Sequence, residues 1–227
     1  MVPAEVNISA FKYPLGFIRV IQFVFIIIAI AAVNSWGLTL EWNCKAMPPQ
    51  RNYTETHQSF YTFSLSSRNI PNCDGNSSIP LWNDDDSASG SAGFFYFVNV
   101  AALIYVIVIS FVYVIFWNVY QTEKRMPLAD LGITALFFIL FFFCSSIWWA
   151  GANTIGSATS EDHLKDLFQQ GAWKDQGAAF SNRSVNNGKL AISVLADWVC
   201  VLCFAFNCWV IWKEIVPRDS SDPTSIA

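Results

Sequence analysis

Asn118–Pro127 reads NVYQTEKRMP, the single short connection between long apolar runs, with the adjacent cations Lys124 and Arg125 near its centre. The runs on either side, 94–117 and 128–150, are long enough to cross a bilayer, so two spans meet at a basic hinge. Lys and Arg in short loops stay on the cytoplasmic side during insertion, and the hinge therefore sets the direction of every other segment.

Working outward, further apolar runs occupy 15–33 and 190–212. Each of the four is roughly 20 residues, about what a hydrocarbon core of ~30 Å requires at ~1.5 Å per residue. The chain has 227 residues, of which 54% are apolar, 16% aromatic and 13% charged. That composition leaves no large water-soluble core and disfavours enzyme folds that need one. The expected architecture is an all-α membrane protein. A four-transmembrane-helix bundle at 15–212 is flanked by cytoplasmic tails 1–14 and 213–227, and two lumenal loops occupy 34–93 and 151–189. The net charge of −4 speaks against a nucleic-acid partner. Ala29-Ile30-Ala31 fits a small-residue cleavage pattern, but the run before it is at the long end for a signal peptide and reads as a retained span.

Polar residues inside the spans are few, and each needs a reason. Pro14 suits the first turn of a helix, where its missing N–H costs nothing. Arg19, about one turn further in, is expected to reach back to the cytoplasmic headgroups as an anchor. Asp130 opens the third span after Pro127; the helix dipole favours a carboxylate there, and a salt bridge to Arg19 is the sharper alternative. Asp197 and Asn207 sit inside the fourth span and are expected to face the bundle and hydrogen-bond to neighbours, or else to line an ion or proton path. Ten residues apart, they share roughly one side of the helix, a polar seam for holding the bundle or joining it to a neighbour. Cys200 and Cys203 read as small core residues. Trp117 and Tyr120 at one end, and Trp148 and Trp149 at the other, suit interfacial belts. Ser146 with Ala150 makes a weak small-xxx-small contact.

The loops read differently. Cys44 and Cys73 are the only cysteines outside the apolar runs and would meet an oxidising compartment. A disulfide between them would close a loop of about 30 residues, worth roughly 3–4 kcal/mol. Sequons at Asn52, Asn76 and Asn182 agree with a lumenal face, whereas Asn7 would be cytoplasmic and unmodified. Phe60–Ser66 has the look of a short strand. Asp84-Asp85-Asp86 lacks the spaced oxygens and distal carboxylate of a calcium loop and reads as solvated. Ser160–Gln170, SEDHLKDLFQQ, is a capped amphipathic helix lying on the membrane or on the other loop. Two histidines, His57 and His163, stand in different loops without metal-site spacing, and no Gly-rich phosphate loop is present. No cofactor is implied and an enzyme is not expected.

Pro14-Leu15-Gly16-Phe17-Ile18-Arg19-Val20-Ile21-Gln22 resembles the opening of the first span in the synaptophysin family. Pro127 and Asp130, Ser145-Ser146-Ile147-Trp148-Trp149-Ala150, and Asn207 with Lys213-Glu214 fall where that family has similar residues. The likeness runs from about Tyr13 to Glu214. It implies the MARVEL four-helix fold with both termini cytoplasmic, a disulfide and a glycan in the first lumenal loop (Asn52 by match), and homo-oligomers. It further implies residence in small secretory or synaptic vesicles and affinity for cholesterol and the vesicle SNARE synaptobrevin. Two departures limit it: 151–189 contains no cysteine for the family's second disulfide, and the long Tyr-Gly-rich tail is missing. A channel or transporter using Asp197 and Asn207, and a claudin-like junction protein suggested by Trp36-Gly37-Leu38 before Cys44, are the alternatives; the wide Cys44 to Cys73 gap departs from the close cysteine pair of claudins.

Overall fold

A computed structural model describes residues 11–44, 51–58, 63–73, 77–122 and 125–219. Among these, four helices are long and apolar enough to cross a membrane. They are α1 (Pro14–Asn34), α2 (Ser89–Ile115), α4 (Arg125–Ala158) and α7 (Gly188–Asp219). The expected four-span membrane architecture is what the chain adopts. Shorter elements are β1 (Gly37–Cys44), β2 (Arg51–Gln58), β3 (Asn69–Pro71), β4 (Ser78–Pro80), α3 (Trp117–Thr122), α5 (Glu161–Phe168), α6 (Gly171–Asp175) and β5 (Ala178–Val185). The sequons at Asn7 and Asn76, Lys124 of the hinge, and the ends of both tails lie outside the described residues.

The chain divides into two compact units. The helical unit takes α1 up to Ala29, the stretch Phe97–Ser145, and α7 from Leu195. Its outer faces are apolar, with Phe17, Leu128, Phe143, Leu202 and Trp209 all exposed, because lipid rather than water is the solvent for which such a surface is stable. Leu15, Ile109, Tyr113, Tyr120 and Ile211 form a buried cluster at one part of its core. The second helix breaks at a single residue: α2 stops at Ile115 and α3 resumes at Trp117. Backbone bonds from Phe116 to Val112 O (2.8 Å) and from Tyr120 to Phe116 O (2.8 Å) carry the chain through that bend.

The sheet unit comprises Ile30–Tyr96 and Ser146–Val194. Its antiparallel sheet has the order β2-β1-β5, which pairs a strand of the first loop with one of the last. β1 alternates half-buried and buried residues, placing Leu38, Leu40, Trp42 and Cys44 on one covered face, the period-2 pattern of a strand. Leu38 pairs with Val185 and Trp42 with Phe180, with a bulge between Glu41 and Trp42. Gly177, at φ 64°, follows α6 in the left-handed conformation that glycine adopts freely and turns the chain into β5. The aromatic core runs from Trp42 through Phe168 (ring centroids 6.2 Å) and Trp173 (6.4 Å) to Phe180, 6.3 Å from Phe168.

Several loop expectations change. Of Phe60–Ser66, the described part is no strand: Leu65–Ser67 is a 3-10 turn, and Phe63 is buried against Trp36 and Trp148. Asp84–Asp86 forms another 3-10 turn, closed by Asn83 in a capping box. Asp86 is not solvated; its Oδ1 lies 2.9 Å from His163 Nε2, an ion pair whenever the imidazole carries its proton. α5 has the expected cap, Ser160 Oγ accepting from His163 N at 3.3 Å, and buries Leu164, Leu167 and Phe168 against the sheet. The helices also outrun the apolar runs. α2 begins in Ser89-Gly90-Ser91-Ala92-Gly93, and α4 continues past Ala150 to Ala158; a Cβ on Gly151 would collide with Ser91, so glycine lets the two helices approach there. α7 passes Trp212 to Asp219, carrying Pro217 in its last turn instead of stopping before it.

Candidate functional site

Arg19 is wholly buried, its guanidinium enclosed by the helical unit rather than reaching its surface. The anchor expectation is therefore corrected. A guanidinium this deep is stable only among acceptors, and the fold supplies them from several helices. Its Nη2 lies 2.8 Å from Asp130 Oδ1, 2.8 Å from Thr134 Oγ1 and 3.1 Å from the Tyr105 hydroxyl. Nη1 donates to Gln22 Oε1 at 3.1 Å, and the guanidinium carbon stands 5.0 Å from the centroid of the Tyr105 ring.

Asp130 is the hub. Of its two readings, the structure has the ion pair to Arg19. Oδ2 accepts from the hydroxyls of Tyr113 (2.5 Å) and Tyr120 (2.8 Å), and Oδ1 accepts from Tyr105 and from Thr134 Oγ1 (3.2 Å). Asn207 joins at the edge, its Nδ2 donating to Gln22 Oε1 at 3.3 Å. α1, α2, α3, α4 and α7 each contribute at least one member. Charge-assisted bonds of this kind are about twice as strong as neutral ones, and leaving any member unpaired in an apolar interior is costly. The arrangement can clamp helices; it offers no nucleophile held against a base. Arg19 Nε, Gln22 Nε2 and Asn207 Oδ1 have no partner among the described residues.

Asp197 stands apart from this cluster. It is also wholly buried, with Oδ2 3.5 Å from Asn99 Nδ2 and 3.7 Å from Cys144 Sγ. Between Asp197 and Asn207 along α7 comes Phe204, stacked on Phe137 (5.6 Å) and Phe141 (5.2 Å). The two polar groups thus form separate sites, not one seam.

Other sequence-marked residues scatter. Tyr120 does not belong to an interfacial belt but to the cluster. Trp148 is buried, donating Nε1–H to Ser193 Oγ at 2.8 Å, whereas Trp149 is exposed as a belt residue would be. Ser146 and Ala150 point outward. Cys200 is buried and Cys203 partly so. Cys44 and Cys73 are joined in a disulfide with Cα atoms 5.5 Å apart. Asn182 is exposed on β5, and Asn52 lies in β2. A second candidate feature is an outward-open apolar groove between α1 and α7, about 730 Å³, lined among others by Phe17, Ile18, Ile21, Leu202, Phe206 and Trp209.

Sequence reasoning missed Tyr105, Tyr113, Thr134, Gln22 and Asn99. One signal was available: Tyr105, Tyr113 and Tyr120 recur at intervals of eight and seven residues, one helical face. Among known families, the MARVEL membrane-associating domain matches residues 10–210 of the chain.

Proposed function

Because the chain belongs to the MARVEL family of membrane-associating domains, we propose that it is a multi-pass protein of small secretory or synaptic vesicles, with both termini cytoplasmic, that self-associates and sorts other membrane components. The vesicle SNARE synaptobrevin is the proposed protein cargo and cholesterol the proposed lipid. The observation that carries this reading is the division of labour in the helical unit. Its buried polar side chains, Arg19, Asp130, Asp197 and Asn207 among them, lie inside, leaving outer apolar faces and the groove of Phe17, Ile21, Phe206 and Trp209 to meet sterols or the span of another protein. Helices in lipid associate through shape and small residues, and Ser146 and Ala150 on the outside of α4 supply such a surface. Asn182, exposed on β5, and Asn52 are the proposed glycan sites, with Asn76 the third. The likeness to synaptophysins in the first span supports the vesicle and partner assignments. A polar conduction path along α7 is disfavoured by the Phe137–Phe204–Phe141 stack.

Immuno-isolation of vesicles with a C-terminal epitope tests the reading. The expected result is co-purification of synaptobrevin and protease access to the epitope in intact vesicles. Recovery only from plasma-membrane contacts, with the epitope protected, would contradict it.

A further inference from the structure

Among the described residues, two carboxylates lie buried inside the helical unit, and their surroundings differ in kind. Asp130 has a guanidinium at 2.8 Å and accepts from three phenols. Asp197, equally enclosed, has on Oδ2 an amide at 3.5 Å and a thiol at 3.7 Å, and its Oδ1 has no hydrogen-bond partner among the described residues. The ion pairs of the described residues do not reach it. The groups facing it are Asn99 on α2, Cys144 on α4 and, one turn along α7, Cys200, all neutral as amide or thiol. Moving a bare carboxylate into such a site costs several kcal/mol even after relaxation, and a group in that position takes up a proton instead.

We propose that Asp197 is a proton-binding site: its carboxyl group carries a proton at neutral pH, drawn from bulk water, with Asn99 and Cys144 as the polar walls of the site. Asp197 lies seven residues beyond Leu190, Asn99 five beyond Phe94 and Cys144 six before Ala150. At ~1.5 Å per residue the three meet at one depth, about 10 Å inside the ends of their apolar runs. Losing the proton would leave a charge that only entering water could solvate, so proton occupancy is coupled to the packing of α2, α4 and α7.

Infrared spectroscopy of the full chain in lipid nanodiscs, with carbon-13 in the aspartate carboxyl groups, decides the matter. The expected result at neutral pH is a carbonyl-stretch band of a protonated carboxyl that shifts with the label. It disappears entirely in Asp197→Asn, a neutral isostere that keeps the wild-type thermal midpoint. Should Asp197→Asn fail to fold, Asp197→Glu serves, since unlabelled glutamate moves the band off the isotope-shifted position. Absence of any protonated-aspartate band in the wild type, or a labelled band that survives either substitution, overturns the proposal.

Discussion

The helical unit and the sheet unit are built inside out with respect to each other. In the first, Arg19, Gln22, Asn99, Asp130, Thr134, Asp197 and Asn207 are buried while Phe17, Leu128, Leu202 and Trp209 are exposed; in the second, Leu38, Leu40, Trp42, Phe63, Phe168 and Trp173 are buried while Glu161, Asp162, Lys165, Ser181 and Asn182 are exposed. In water, burying apolar area drives association, so the sheet unit can rely on an aromatic core and a covalent tie. In lipid that drive is nearly absent between helices, and specificity falls to hydrogen bonds, ion pairs and close packing. One chain thus uses two kinds of glue, and each can be removed separately.

The largest expected effect is in the helical unit. Asp130→Ala leaves the Arg19 guanidinium uncompensated among apolar walls and is expected to cost about 3–5 kcal/mol. Thermal unfolding in mild detergent reads it, and a loss below about 1 kcal/mol would mean that the cluster does not hold the helices. Next comes the sheet unit: Cys44→Ser with Cys73→Ser is expected to cost roughly 3–4 kcal/mol. Hydrogen exchange should rise in β1 and β5 and stay unchanged around Tyr105 and Asp130; equal rises in both would erase the contrast between the units. Asn207→Leu is smaller, about 0.6–2 kcal/mol per polar contact. Because Asn207 is wholly buried against Gln22, its loss should appear in the chain's own unfolding midpoint and not in oligomer size on blue-native electrophoresis. A change in oligomer size alone would put the residue at an interface. The smallest effect belongs to an exposed pair in the sheet unit. The hydrogen bond and charge of Lys165 hold the Glu161 carboxyl below its ordinary range, and the contact is 2.6 Å. The sign follows: any stability it gives is present in full above the usual glutamate range and is lost as pH falls from there through the lowered folded-state value. Solvent mutes such pairs, so Lys165→Met should leave the unfolding midpoint unchanged at neutral pH.

The four spans were legible because hydropathy marks contact with lipid. Their ends were not, because helix runs on through Ser89–Gly93 and Gly151–Ala158, where hydropathy gives no signal for it. The sheet was invisible for a different reason. β1 and β5 lie far apart in sequence, β5 alternates only weakly, and the pairing of Leu38 with Val185 is a tertiary choice. At the site, the charges drew attention and the neutral partners did not. Arg19 and Asp130 are conspicuous in apolar runs, whereas Tyr105 and Tyr113 are ordinary in them, and Tyr120 looked like a belt residue at a helix end. Its hydroxyl instead donates to Asp130 Oδ2 at 2.8 Å.

A double-mutant cycle measures whether Arg19 and Asp130 act as one pair within the helical unit. Arg19→Leu, Asp130→Leu and the double variant would be compared by reversible unfolding in detergent. Each single variant is expected to lose about 3–5 kcal/mol and the double to lose less than their sum, with a coupling of about 1–3 kcal/mol. Additive losses, agreeing with the sum to within about 0.5 kcal/mol, would contradict it.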